Sequence, residues 1–407
     1  MSVDEKAEHM TRTGRHFLQI PGPTNVPDRV MAAMAAPVID HRGPEFAHLG
    51  REVLEQVRPI FQTRNPVVIF PSSGTGACEA ALVNTLSPGD RVVVFETGWF
   101  SHIAWRQVAE RLGLLVDYVP GTWRRGASAD ELDRRLGEDS AHAIKAVIVV
   151  HNETSTGVVS SISALRSALN RRNHPALLIV DTISSLASME YRHDEWEVDV
   201  TVCGSQKGLM VPPGLGFNAI SGKALDASKD ARLPKSYWNW KEMLKANENG
   251  FFPYTPATNL LYGLREALRM LHEEGLPNVL SRHTRYGEAT RAAVRAWGLE
   301  IVAEVPAEYS NSLTAVLMPD GHDADHFRDA VLKHFDMSLG TGLGKLAGKV
   351  FRIGHLGGFN DLMLAGTLSG VEMGLSRAGV PHRPGGIVAA LSSLTPDQQT
   401  AEASVVR

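Results

Sequence analysis

Lys207 lies between Ser205-Gln206 and Gly208, in a segment Cys203 to Gly214 flanked by apolar and proline residues rather than on the polar face of a helix. Most single lysines are solvated surface charges. One in these surroundings is expected to be partly buried, which lowers its pKa and frees the neutral amine as a nucleophile. Asp181 opens Asp181-Thr-Ile-Ser-Ser185. A carboxylate there can keep a heterocyclic nitrogen protonated by charge-assisted hydrogen bonding, though alone it reads equally well as a helix N-cap. The turn Pro71-Ser-Ser-Gly-Thr-Gly-Ala-Cys-Glu-Ala80 feeds a helix-forming run, Ala77 to Asn84. Backbone N–H groups at such a helix start, with the hydroxyls of Ser73 and Thr75, suit a phosphate. Alone, the turn is more simply a helix cap. His151-Asn-Glu-Thr-Ser-Thr-Gly157 adds a further polar stretch. Together, a phosphate-type loop, an acid, a polar turn and a lysine describe a cofactor site.

These groups need a scaffold, and each follows a short apolar run: Val67 to Phe70, Ala146 to Val150, Leu177 to Val180 and Val198 to Val202, with Arg91 to Phe95 as a fifth. Alternating with amphipathic stretches such as Ser163 to Asn170, they read as βαβ units of a mainly parallel sheet. Continuous rather than alternating apolarity means helices on both faces. In such α/β sheets ligands collect beyond the carboxyl ends of the strands, where the chemical residues stand. From about Pro277 the pattern becomes α+β. We therefore expect a loose arm over 1–15, a large domain over 16–276, a smaller C-terminal domain over 277–395 and a frayed tail over 396–407.

The chain has 407 residues, enough for two domains. With 41 Lys plus Arg against 45 Asp plus Glu and no long same-sign run, it lacks the basic footprint of a nucleic-acid binder. No apolar stretch approaches the ~18 residues of a membrane span. The start is polar and without a signal-peptide core, and two cysteines make no disulfide framework. A cytoplasmic protein without metal, membrane or nucleic-acid partner is expected.

The order Ser-Gly-Thr, Asn-Glu-Thr-Ser-Thr-Gly, Asp-Thr-Ile-Ser-Ser and Gly-Ser-Gln-Lys-Gly resembles the class V aminotransferases of pyridoxal-phosphate fold type I. Pro21-Gly-Pro-Thr-Asn25, Asp40-His-Arg42 and Lys349 to Gly357 are most similar to the serine–glyoxylate and alanine–glyoxylate aminotransferase group. The likeness runs from about Phe17 to Leu394. It implies that Lys207 carries pyridoxal 5'-phosphate as a Schiff base and that Asp181 pairs with the pyridine nitrogen. Ser73, Gly74, Thr75 and Gln206 would hold the phosphate, Thr154 the ring hydroxyl, and Phe100, beside Trp99, would stack on the ring. Arg352 would grip the substrate carboxylate. Thr255 would reach the cofactor phosphate of a neighbouring subunit, making the active form at least a homodimer. Where the family has a tyrosine nearby, this chain has Phe252, with Tyr254 two residues on. Apart from the resemblance, the small-residue segment Pro21 to Asn25 suits a compact donor and Arg42 suits a second carboxylate or hydroxyl, while Asp40-His-Arg42 reads equally well as a loop held by its own polar contacts.

The expected reaction is ping-pong transfer of an amino group from a small L-amino acid to glyoxylate, with serine favoured over aspartate or alanine. A cysteine desulfurase needs a catalytic cysteine late in the chain, and none follows Cys203. A non-catalytic scaffold would not need Lys207, Asp181 and Arg352 together. A dinucleotide-binding oxidoreductase would need G-x-G-x-x-G spacing, which Ser72-Ser-Gly-Thr-Gly-Ala77 lacks.

Overall fold

The computed structural model of the protein describes residues 14–394. The arm expected over 1–15, apart from Gly14 and Arg15, and the tail expected over 396–407 lie outside the described residues.

The central sheet has seven strands. In chain order they are β2 (Val67–Ser72), β3 (Arg91–Phe95), β4 (Leu115–Val119), β5 (Ile144–Val150), β8 (Leu177–Asp181), β9 (Val200–Gly204) and β10 (Gly214–Ile220), with spatial order β2-β10-β9-β8-β5-β3-β4. The run β9-β8-β5-β3-β4 is parallel, and β10 is antiparallel to both its neighbours. Neither β4 nor β10 is marked in the sequence by a continuous β-branched run. β10 begins Gly-Leu-Gly, without the β-branched density that marks the other central strands.

Alternate residues of each strand enter opposite cores, because side chains alternate across a strand. Val93, Val147, Val149, Leu178 and Val180 pack with the helices Pro44–Phe61, Ile162–Arg171 and Thr258–Glu274. Val92, Val94, Ala146, Ile148 and Ile179 pack with Gly74–Thr85 and Trp240–Asn247 on the other face. The unbroken apolar runs thus mark strands covered on both sides.

The second sheet has order β1-β13-β14-β12-β11, formed by β1 (Phe17–Gln19), β11 (Glu300–Ile301), β12 (Leu313–Leu317), β13 (Met337–Thr341) and β14 (Val350–Gly354). A small hairpin, β6 (Asn152–Glu153) with β7 (Val158–Val159), follows β5. Gly275, at φ +79°, ends the helix Thr258–Glu274 and admits the helix Leu276–Trp297. One segment departs from the expected division: β1, within the range assigned to the large domain, pairs in parallel with β13 of the smaller sheet. It satisfies the open edge of β13 and sends the chain directly across to Lys207. Among the described residues no helix is long and apolar enough to cross a membrane.

Candidate active site

Strands β8 and β9 are adjacent, with Asp181 opposite Val202, so Asp181 and the turn carrying Lys207 emerge side by side at the carboxyl ends of two central strands. Between them and the start of the helix Gly74–Thr85 lies a cavity of about 210 Å³. Ser73, Gly74, Thr75, Phe100, Thr154, Asp181, Gln206 and Lys207, all expected from sequence, line it together with Asn152 and Gly22.

Ser73 caps that helix, its Oγ accepting from Gly76 N at 3.3 Å. The remaining first-turn N–H groups concentrate the positive end of the helix dipole, an arrangement suited to an anion. The capping and phosphate readings of this turn are therefore compatible.

Lys207 is 6% exposed. Burial, then the charge of Arg352, pushes its amine down to about 7, against the pull of Asp181. Nζ donates to the Pro21 carbonyl, which the stretch after β1 carries over the lysine. Thr24 pins that stretch by donating its backbone N–H to Gln206 O at 3.1 Å. Gly22, at φ +98°, is required: a Cβ there would stand 2.6 Å from Nζ and 2.7 Å from Cε of Lys207. Gly22→Ala is expected to displace the lysine and to strain the backbone by ~1–3 kcal/mol. Titration with pyridoxal phosphate should then show weaker uptake than wild type.

Asp181 is 3% exposed; Oδ1 accepts from Ile183 N and Oδ2 from Trp105 Nε1, both at 2.9 Å. Burial pushes its pKa up to about 6, opposed by these two donors. A bound cation would restore the charge of the carboxylate.

Glu153 and Trp105 join the site without a role expected from the sequence. Glu153 is fully buried and its carboxylate accepts from Phe100 N, Ser101 N, Ser155 N and Ser155 Oγ at 2.7–3.3 Å. It thereby holds the turn that aims Phe100 into the cavity. Trp99 points elsewhere, toward Gly344, whose added Cβ would lie 2.6 Å from Trp99 Cε3. Phe100 rather than Trp99 therefore lines the cavity.

Arg352, 7% exposed on β14, donates Nη1 to Thr154 O at 2.7 Å and Nε to Thr341 O at 2.8 Å, tying the second sheet to the cavity rim. Arg352 reaches the cavity only through Thr154 and is not among its lining residues, and three further candidates do not line it either. Asn25 donates to Leu18 O at 2.9 Å and lines a separate groove. The Arg42 side chain is exposed, with its backbone N–H on Asp40 Oδ1. Neither lines the cavity, so the expected donor contacts of Asn25 and Arg42 are not formed within the single chain; the Asn25 amide is instead used to fasten β1. Thr255 is exposed and outside the cavity. Tyr254 stacks on Tyr237 at 4.3 Å and donates to its carbonyl, while Phe252 packs on Phe46.

Do these residues fit pyridoxal phosphate? Two buried oxygens at the cavity, Asn152 Oδ1 and Gln206 Oε1, have no hydrogen-bond partner among the described residues. Buried polar atoms are rarely left so, and a polar ligand would satisfy them. The cavity is small beside the ~300–1,000 Å³ usual for drug-sized ligands, which suits a single-ring phosphate ester better than a dinucleotide. An amine, a carboxylate, an aromatic face and a helix N-terminus complete a donor set that matches the aldehyde, ring nitrogen, ring and phosphate of the cofactor.

The family model for aminotransferase class V matches residues 16–337. The serine–glyoxylate aminotransferase of Methylorubrum extorquens is 48% identical over 398 residues, covering 96% of this chain and 99% of that protein. The L-aspartate–glyoxylate aminotransferase of Paracoccus denitrificans is 44% identical, covering 93% and 96%. The crystal structure of ureidoglycine–glyoxylate aminotransferase from Bacillus subtilis superposes with TM-score 0.87 at 29% identity, over 95% of this chain and 99% of that one. With the family model spanning most of its length and relatives this similar from end to end, the chain belongs to the class V aminotransferases.

Proposed function

We propose that the protein transfers the amino group of a small L-amino acid, serine first, to glyoxylate, using pyridoxal 5'-phosphate held in the cavity around Lys207. The observation that carries this reading is a buried amine pushed to about 7 beside a buried carboxylate at adjacent strand ends. The preference for serine draws on the likeness to the Methylorubrum extorquens enzyme. The aspartate–glyoxylate relative keeps aspartate as the second reading.

When bound, the cofactor supplies an electron sink for the charge that develops at the donor Cα. The chain's own residues do the rest. Ser73, Gly74 and Thr75 hold the phosphate at the helix N-terminus, joined by Gln206. Asp181 keeps the ring nitrogen protonated, Phe100 covers the ring, and Thr154 serves the ring hydroxyl. Lys207 would anchor the cofactor, and its buried amine at the cavity is placed to move a proton at the donor Cα. Arg352 holds the substrate carboxylate with a planar fork that lysine cannot reproduce. Because donor and acceptor use one site in turn, the kinetics are ping-pong.

Ser73 and Thr75 are exposed in the single chain, which supports a second subunit closing the phosphate end through its Thr255. We accordingly read the active form as a homodimer or larger. We also retain two domains, over 16–276 and 277–395, with β1 packed on the second. Two free, buried cysteines support a reducing cytoplasmic setting.

The test is the visible spectrum of the cofactor-loaded protein titrated with L-serine, L-aspartate and L-alanine, then glyoxylate. Loss of the cofactor band with serine and its recovery with glyoxylate are expected. Conversion by aspartate alone would replace the serine reading with the second one, and conversion by none would remove both.

A further inference from the structure

The carboxylate of Asp181 is held from two directions. Ile183 N–H, from its own turn, meets Oδ1, and the indole N–H of Trp105 meets Oδ2, each at 2.9 Å. Trp105 is fully buried, so no solvent competes for this bond. A carboxylate turns broadly about its last torsion. Two donors on its two oxygens fix that torsion and leave the remaining lone pairs for a group in the cavity. Both donors also favour the ionised form, which burial alone opposes.

Trp105 arrives there through an unusual piece of backbone. Ser101–Arg106 is a π-helical segment, with Gln107 N–H reaching back to His102 O. Such widened turns are rare and frequent at functional sites. Phe100, which lines the cavity, is its N-cap, and Glu153 fixes its start through Phe100 N and Ser101 N. One rigid turn thus presents Phe100 to the cavity and Trp105 to Asp181.

We propose that Trp105 is a positioning residue for the reaction: its indole N–H holds the Asp181 carboxylate ionised and aimed at the ring nitrogen of pyridoxal phosphate. This rests on the proposed cofactor site and adds to it a residue that acts only through Asp181.

The experiment is a double-mutant cycle on cofactor binding, using pyridoxal 5'-phosphate labelled with ¹⁵N in the ring. Cofactor-free wild type, Trp105→Phe, Asp181→Ala and the double variant are titrated with it, and the ring-nitrogen resonance of each complex is recorded. A chain carrying 3-benzothienylalanine at position 105 replaces only the N–H with sulfur, so it preserves packing should Trp105→Phe fold poorly. Both changes at 105 are expected to weaken binding about tenfold, the scale of one hydrogen bond to a charged group, and to move the resonance toward unprotonated pyridine. In the Asp181→Ala background the change at 105 should have no further effect. Wild-type affinity and resonance in the isostere, or an equal loss in both backgrounds, would overturn the proposal. Wild-type binding by Asp181→Ala would overturn the cofactor-site reading along with it.

Discussion

Replacing Lys207 with methionine is expected to cost at least ~10²–10⁴ in transamination rate, the usual worth of a positioned general base, with the loss of cofactor anchoring added. The same change should make the cofactor-free protein more stable at neutral pH. The folded-state pKa of Lys207 is pushed from 10.5 to about 7, so the fold favours the neutral amine. Its contribution to stability is complete above about pH 10.5 and is lost as pH falls toward 7. At 1.36 kcal/mol per unit the full penalty is on the order of 5 kcal/mol as an upper bound. Methionine escapes it, less ~1–3 kcal/mol for the Pro21 carbonyl left without a donor. Chemical denaturation of both cofactor-free proteins at pH 7 and pH 10 checks this: the variant should be the more stable at pH 7 and lose that advantage at pH 10. A variant less stable at both would mean that Lys207 is structural.

Arg352 should show the second large effect, with a different signature. Two charge-assisted hydrogen bonds to a carboxylate, at ~1.5–3 kcal/mol each, correspond to a loss of about 10²-fold or more in kcat/KM for Arg352→Ala. The loss should apply to donor and oxo acid alike, because both carry the carboxylate. Arg352→Lys should recover little, since Nε and Nη1 are already committed to the carbonyls of Thr341 and Thr154, a fixed geometry that a lone ammonium cannot copy. Steady-state kinetics with each substrate varied in turn would decide it. A loss confined to one substrate would move Arg352 from the shared carboxylate to a side-chain contact.

Residues that follow a strand directly were legible in the sequence, because an apolar run ending in a polar motif marks both the strand and its site-facing end. Asp181, Lys207, Thr154 and the Ser73 turn all have this form, and all line one cavity. What escaped depends on tertiary approach. Trp105 stands five residues beyond Phe100 in an aromatic stretch, and only the π-helical turn and the packing of β8 bring its N–H to Asp181. Glu153 was hidden by its type, since fully buried glutamates are uncommon; four donated hydrogen bonds from two turns make it possible. β1 could not be assigned from local pattern, because three residues carry no record of which sheet edge they close. Asn25 and Arg42 have no strand end to locate them in the sequence, and the cavity does not include them.

Borohydride reduction of the cofactor-loaded protein, followed by peptide mapping, reads out whether Lys207 holds the cofactor. A single pyridoxyl group is expected on the peptide containing Lys207, and none in Lys207→Met. A label on another lysine, or none, would contradict it.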